Sequence, residues 1–316
     1  MKEITILKAH FLRDTRNFFE QKGFLEAITP PLVQNPGMEP HIHPFKVIGA
    51  KDNQNVGYLH TSPEFHMKEL LSHGLEKIYN IGHCFRDEPH SEHHRNQFIM
   101  LEWYRSNCHY DVIKKDVIDL ITYLIKNNQF VHPFYAENSW SEYTVDELFK
   151  DICGFSILDH LDEYSLRSVI KNKFPEVPLP PEQLLWEDLF FLIFLNKVEP
   201  RLKEIPLLII KEYPHHLSAL STLKELDPRV CERFEVYING VEIGNCFNEL
   251  TNYDEQMKRF SMASSLKNKL YGYNLPHPQI MDASLKRGLP NSAGIAIGLE
   301  RLMAQLTKKD HCFWSE

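Results

Sequence analysis

Apolar and polar positions along the chain alternate between two periods, and the switches between them outline the elements. Over residues 9–22, Phe11, Phe18 and Phe19 gather near one face while Arg13, Asp14 and Arg16 lie elsewhere, which predicts an amphipathic helix stopped by Gly23. Phe24 to Leu32 predicts a short strand running into Thr29-Pro30-Pro31. Leu59 to Leu71 predicts the end of a strand, then a helix with Pro63 in its first turn and Thr61 or Ser62 as a cap. Lys77–Ile81 and Phe98–Tyr104 carry the aromatic and branched residues of strands, and a polar, His-rich connection separates them. Residues 110–150 read as mainly helical, with a turn near His132-Pro133. Residues 156–200 hold Pro175, Pro178, Pro180 and Pro181, then the apolar run Trp186 to Leu195, and are expected to be a helical insertion within one domain spanning 1–316. Pro206–Pro214 predicts a buried strand, and Arg233–Asn245 a hairpin about Asn239-Gly240, the strongest short-range hairpin signal. A charged helix follows from Asp254, and Pro290–Leu306 reads as a glycine-punctuated strand entering a helix. Internal repeats and low-complexity stretches are absent.

Composition narrows the class. The 316 residues, 43% hydrophobic and 25% charged, are ordinary for a folded domain. A formal net charge of -8 argues against broad nucleic-acid binding. The six cysteines, Cys84, Cys108, Cys153, Cys231, Cys246 and Cys312, include no Cys-x-x-Cys pair and read as reduced thiols. Neither a signal peptide nor an apolar run of membrane-spanning length is present, so a cytoplasmic, membrane-free protein is expected.

The candidate chemistry centres on residues 82–105, GHCFRDEPHSEHHRNQFIMLEWYR. Two antiparallel strands joined by the polar connection would bring Arg86, Glu88 and His94 together beside Phe98. Two cations, a carboxylate and an aromatic face suit a nucleotide, with Arg for phosphate, Glu for an exocyclic amine and the ring for stacking. A surface hairpin with satisfied charges would carry the same residues. The series Phe85-Arg86-x-Glu88, then His94 and Phe98, resembles motif 2 of class II aminoacyl-tRNA synthetases. Helix 9–22 with the following strand and Thr29-Pro30 resembles motif 1 of that class. Gly294, Ala296, Gly298 and Arg301 resemble motif 3. With Thr61-Ser62-Pro63-Glu64, Glu102-Trp103-Tyr104, Glu235, Glu242, Asn245 and Glu249 in order, the chain resembles the catalytic core of lysyl-tRNA synthetase from end to end, the insertion excepted.

That resemblance implies an α+β fold, a class II synthetase catalytic core in which an antiparallel β-sheet is flanked by helices. It implies amino-acid activation by ATP with Mg²⁺. Arg86 would hold the α-phosphate and the attacking carboxylate, and His94 and Arg301 the outer phosphates. Glu88 would read the adenine amine and Phe98 stack on the ring, with Asp87, Arg95, Ile243 and Gly298 completing the ATP site. Glu235 and Glu242 would carry Mg²⁺, which prefers oxygen ligands. A diamino acid would enter over Ser62 and Ala296, with Glu64 and Glu102 near one ammonium, and Tyr104 and Glu249 at the other. Motif 1 would build a homodimer interface, to which the three phenylalanines would lend apolar area.

Departures from the pattern are Arg86-Asp87-Glu88 for Arg-Asn-Glu, His94-Arg95-Asn96-Gln97-Phe98 for His-Asn-Pro-Glu-Phe, Asn245-Cys246-Phe247 for Asn-Gly-Phe, and Ala296 for Gly. Lysyl-tRNA synthetases place an OB-fold anticodon domain before motif 1, and here motif 1 begins almost at Met1. A core without that domain resembles the elongation factor P lysyltransferase family, which activates (R)-β-lysine and joins it to a lysine of elongation factor P. The expected partners are therefore elongation factor P and (R)-β-lysine. Alternatives are a compact ligase that charges tRNA and a catalytically silent synthetase-like regulator. A zinc site at His90, His93 and His94 lacks a Cys or carboxylate at a familiar spacing.

Overall fold

Phe19 sits at a crossing of one helix and two strands. Its ring stacks on Tyr79 at 4.7 Å, meets Phe24 edge-on at 5.1 Å and lies 5.2 Å from Trp103. The computed structural model describes residues 2–89 and 95–309. Phe11, Phe18 and Phe19 line the buried face of a helix, Lys2–Gln21, that begins earlier than the predicted residue 9. These rings are core of a single chain, so they do not supply the exposed area expected of them at a dimer interface. The exposed large apolar side chains of this region are instead Ile6, Leu25, Ile28 and Leu32.

Contacts divide the chain into two compact units, Met1–Pro133 with Glu249–Glu316, and Phe134–Asn248. In the first, strands run in the order Leu25–Glu26, Lys77–Phe85, Gln97–Ser106 and Ser292–Gly298; the first pairing is parallel and the others antiparallel. The predicted hairpin is there, longer than its apolar runs suggested, in register from Lys77–Arg105 to Phe85–Gln97. The single strand predicted at 24–32 is two short pieces, because Pro30 and Pro31 have no N–H to donate to a ladder. The second piece, Leu32–Val33, joins Lys46–Ile48 and Asn55–Leu59 in a small sheet of its own. Helices Glu64–Ser72, Tyr110–Asn127, Tyr253–Tyr271, Gln279–Arg287 and Leu299–Thr307 complete this unit.

In the second unit the order is Val241–Asn248, Arg233–Ile238, Leu207–Lys211 and Ser141–Thr144. Asn239 and Gly240 form the predicted turn with φ of 50° and 77°, the left-handed pair that matches strand twist. Ser141–Thr144 lies within the stretch expected to be mainly helical and pairs parallel with Leu207–Lys211. Its four residues, Ser-Glu-Tyr-Thr, offer no apolar run, and its strand character comes from the buried partner. Residues 156–200 supply helices Glu163–Lys173 and Trp186–Ile193, then a π-helical turn, Phe194–Val198. Leu166, Ile170, Trp186, Phe190 and Val198 pack into one core with Val145, Leu208, Ile210 and Tyr213.

Together the elements make an α+β fold dominated by antiparallel pairing. Among the described residues, no helix is long and apolar enough to cross a membrane. Cys84, Cys108, Cys153, Cys231 and Cys246 are free thiols.

Candidate active site

Glu102 and Tyr104 stand two residues apart on Gln97–Ser106, which turns both to one face of the sheet. Asn80 and Ala296 flank Glu102 across the ladder, and Ile78 and Gly294 flank Tyr104. The Tyr104 hydroxyl donates to Glu102 Oε2 at 2.9 Å, and both side chains are buried. A β-carbon at Gly294 would overlap Cδ1 and Cε1 of the Tyr104 ring, so the ring lies where only glycine leaves room.

Helix Glu64–Ser72 brings in the next carboxylate. Ser62 Oγ accepts the Glu64 N–H at 3.3 Å, and Lys68 follows Glu64 by one turn. Lys68 Nζ lies 2.6 Å from Glu64 Oε1 and 2.6 Å from Glu249 Oε2, with its side chain wholly buried. Glu249 is fixed beside the Ser292–Gly298 strand, its N–H donating to Ser292 O at 2.9 Å. The expectation placed Glu64 with Glu102 at one substrate ammonium and Tyr104 with Glu249 at the other. Glu102 pairs with Tyr104 as a same-face neighbour, and Glu64 pairs with Glu249 through Lys68, because two dry carboxylates need a counter-charge.

Burial pushes the Glu102 carboxyl up to about 8; the negative charges of Glu64 and Glu249 add to this, and the Tyr104 hydroxyl and Lys68 oppose it. Burial likewise pushes Glu249 up to about 8, helped by Glu64 and opposed by Lys68. Burial works against the charged form of Lys68, but the two carboxylates overcome it and raise its pKa. The ammonium is the firmly charged member of the cluster, since it has two carboxylates while those two share one cation.

A cleft opens beside Glu64, lined by Glu39, His60, Ser62, Phe65 and His66. Burial raises the Glu39 carboxyl, as does the charge of Glu64, while Arg86 lowers it. Lys267, from helix Tyr253–Tyr271, donates to the carbonyls of Glu39, Pro40 and Ile42 at 3.2, 2.9 and 2.7 Å and fixes this segment. Lys68, Glu39 and Lys267 were not singled out from sequence.

Arg86 begins the connection of the hairpin. Its N–H donates to Asn96 O at 2.9 Å, and Asn96 Nδ2 donates to the carbonyls of Arg86 and Glu88 at 3.0 Å each, closing the base of the loop. The guanidinium lies 5.3 Å from the Phe98 ring centroid, so ligand-free Arg86 rests on the ring assigned to adenine. Its Nε is buried with no hydrogen-bond partner among the described residues, a donor left for a ligand. Asp87 is exposed, while Glu88 and Arg95 are half-buried. His94, with the other histidines considered for zinc, lies outside the described residues. Gly298 precedes helix Leu299–Thr307, which carries Arg301 in its first turn.

Glu235, Glu242 and Ile243 belong to the second unit. Glu235 Oε1 accepts from Arg233 at 2.5 Å, and Oε2 accepts from the hydroxyls of Tyr213 and Tyr237 at 2.5 and 2.7 Å. Three of roughly four acceptor positions on that carboxylate are filled, leaving room for a single cation contact. Glu242 is half-buried, whereas the Ile243 side chain is in the core and leaves only its backbone for a nucleotide. Among the described residues, no group of three or more His, Cys, Asp or Glu side chains could hold a metal ion.

A buried acidic cluster and a hairpin carrying Arg86 and Phe98 thus occur in the same unit of the chain. The chain belongs to the family of class II tRNA synthetases (D, K and N), whose family model matches residues 1–312. Within it, the chain is similar to the elongation factor P--(R)-beta-lysine ligase of Vibrio cholerae serotype O1, at 31% identity over 308 residues, covering 96% of this chain and 91% of that one. The ligase of the same name from Yersinia enterocolitica is 33% identical over 306 residues, covering 94% and 88%. That from Yersinia pestis strain Pestoides F is 32% identical over 303 residues, again covering 94% and 88%.

Proposed function

We propose that this protein is a ligase that uses ATP to activate (R)-β-lysine as an adenylate and then transfers it to a lysine side chain of elongation factor P. The observation that carries the reading is the buried cluster of Glu64, Glu102, Glu249 and Tyr104. A pocket so acidic and so buried selects amines, because buried carboxylates left without a counter-charge are costly. The names of the relatives support the β-isomer and the acceptor.

In the first step a carboxylate oxygen of the amino acid attacks the α-phosphorus of ATP, forming the acyl–phosphate bond and expelling pyrophosphate. In the second, the neutral ε-amine of the acceptor lysine attacks the acyl carbon, an amide forms and AMP leaves. Positioning and charge neutralisation do most of this work. Arg86, with its free Nε–H, is assigned to the α-phosphate and the incoming carboxylate, and Arg301 with His94 to the outer phosphates. Phe98, once Arg86 turns to phosphate, presents its face to adenine, and Glu88, Asp87, Arg95, Gly298 and the Ile243 backbone complete the assignment. Mg²⁺, when bound, neutralises phosphate charge; Glu242 and the remaining lone pair of Glu235 are the carboxylate positions assigned to it. Ser62, Glu64, Glu102, Tyr104, Glu249 and Ala296 are assigned to the amino acid.

We further propose a cytoplasmic homodimer built on residues 9–34, where Leu25, Ile28 and Leu32 are exposed, Ile28 at 95%. A monomer of full activity in light scattering would reject the dimer. The function is tested by pyrophosphate exchange with α-lysine and both β-lysine enantiomers, followed by transfer to elongation factor P or to tRNA. The expected result is preferred exchange with (R)-β-lysine and transfer to the protein. Transfer to tRNA alone would overturn the acceptor, and absence of exchange with every isomer would overturn the activity.

A further inference from the structure

The pocket that should receive the substrate's ammonium groups already holds one of the protein's own. Lys68 Nζ touches Glu64 and Glu249 at 2.6 Å each, and the lysine is wholly buried. Glu102 completes the cluster, bonded to Tyr104 and sensing both Glu64 and Glu249. Three carboxylates (Glu64, Glu102, Glu249) against one ammonium (Lys68) leave two negative charges once all three carboxylates are ionised. Glu39, on the segment before the helix, also faces Glu64, but it lies outside the cluster that Lys68 bridges. In a buried site, net charge acts as a filter, since a ligand of the wrong charge leaves a buried group uncompensated.

We propose that Lys68 is a positioning and specificity residue: its ammonium holds Glu64 and Glu249 in place and sets the pocket at two net negative charges, matching an amino acid with two ammonium groups. This rests on the reading of the pocket as the amino-acid site. Lys68 is not a catalytic residue; it acts through the two carboxylates it bridges. With Glu102 and Glu249 near 8, the empty pocket stores protons that a doubly charged substrate displaces. Tyr104, which burial and Glu102 hold far from ionising, keeps its proton throughout.

The test compares the Michaelis constants for (R)-β-lysine and for 3-aminohexanoic acid, which lacks the distal amine, in pyrophosphate exchange. In the wild type the diamine is strongly preferred. Glu249→Gln leaves one net negative charge, and the preference is expected to fall at least tenfold. Adding Lys68→Met to that variant restores two negative charges, and the preference is expected to recover most of the loss. This double variant leaves one fewer buried carboxylate without its counter-charge than Lys68→Met alone, so it is expected to fold even where Lys68→Met alone does not. Where the single Lys68→Met variant folds, its Michaelis constant for the diamine is expected to rise about tenfold at neutral pH. Its binding profile should move to higher pH, with Lys68→Arg returning it toward wild type. A double variant that remains as poor as Glu249→Gln, with its constant for ATP unchanged, would overturn the proposal and leave Lys68 a packing residue. Failure of the underlying function is distinguishable, because the wild type itself would then exchange with no diamine.

Discussion

Tyr104 lies across Gly294. The two residues are register partners on antiparallel strands, and a β-carbon on Gly294 would overlap the Tyr104 ring. The hydroxyl at the far end of that ring donates to Glu102, so the glycine places a carboxylate as well as an aromatic. Gly294→Ala must displace the ring. The expected outcome is a stability loss of about 1–3 kcal/mol from overpacking and a Michaelis constant for the amino acid at least tenfold higher. Thermal melting and pyrophosphate exchange check the two parts separately. A variant that kept both values would show that the ring can move without disturbing Glu102.

Arg86 is held by its backbone and left free at its head. Asn96 fixes the loop at the Arg86 N–H and carbonyl, while Nε has no partner among the described residues. Arg86→Ala should therefore leave the fold close to intact and remove the phosphate contact. A charge-assisted contact that strengthens in the transition state is worth about 3 kcal/mol or more, a loss of roughly a hundredfold or greater in adenylate formation. A folded variant exchanging pyrophosphate at near wild-type rate would remove Arg86 from the chemistry.

Glu300 links pH to stability in a window the sequence does not advertise. Burial pushes its carboxyl up to about 7 from an ordinary 4.5, while the Ile99 N–H, donating at 2.7 Å, opposes the rise. The folded state then keeps a proton that the unfolded chain gives up. Stability is full below 4.5, falls as pH rises toward 7, and levels off above. Glu102 and Glu249 act with the same sign up to about 8. For Glu300 the shift from 4.5 to about 7 caps the effect at about 3 kcal/mol, and relaxation of the site lowers it. Glu300→Gln, whose amide oxygen can still accept the Ile99 N–H, should be more stable than wild type at pH 8 by about 1–2 kcal/mol and not at pH 4.5. Denaturant unfolding at the two pH values decides it; equal differences at both would disprove the linkage.

The elements legible in the sequence were those whose signal is local. Asn239-Gly240 dictates its turn, and the aromatic runs around Arg86 announce the hairpin. Phe11, Phe18 and Phe19 did mark the buried face of a helix, but burial in the core of one chain and burial between two copies look alike in sequence. Ser141–Thr144 failed because a parallel strand owes its place to a partner more than sixty residues away. Lys68 failed for a different reason. A lysine four residues after a glutamate reads as a solvated helical pair, and only Glu249, arriving from distant sequence, makes it a buried cation. Gly294 was visible as part of a glycine pattern, yet its meaning depended on the strand register that sets it under Tyr104.

Ala296 bears on which lysine isomer is taken. It is the register partner of Glu102 and half-buried, two pairs along from Gly294–Tyr104 and therefore on the same face of the sheet. Lysyl-tRNA synthetases, which the chain resembles, carry glycine here. The methyl narrows the space where the α-amino group of ordinary lysine would lie, whereas (R)-β-lysine has a slim methylene at that carbon and its amine one carbon further on. One methyl in a fitted pocket is worth about 1–3 kcal/mol, so discrimination of tens- to a few hundredfold is expected, not absolute exclusion. Ala296→Gly should gain on α-lysine relative to (R)-β-lysine when both are compared in pyrophosphate exchange. The small cost of a glycine in a strand falls equally on both substrates and cancels in the ratio. An unchanged ratio would mean that Ala296 tunes packing against the helix from Leu299, and that isomer choice resides in the carboxylates and Lys68 instead.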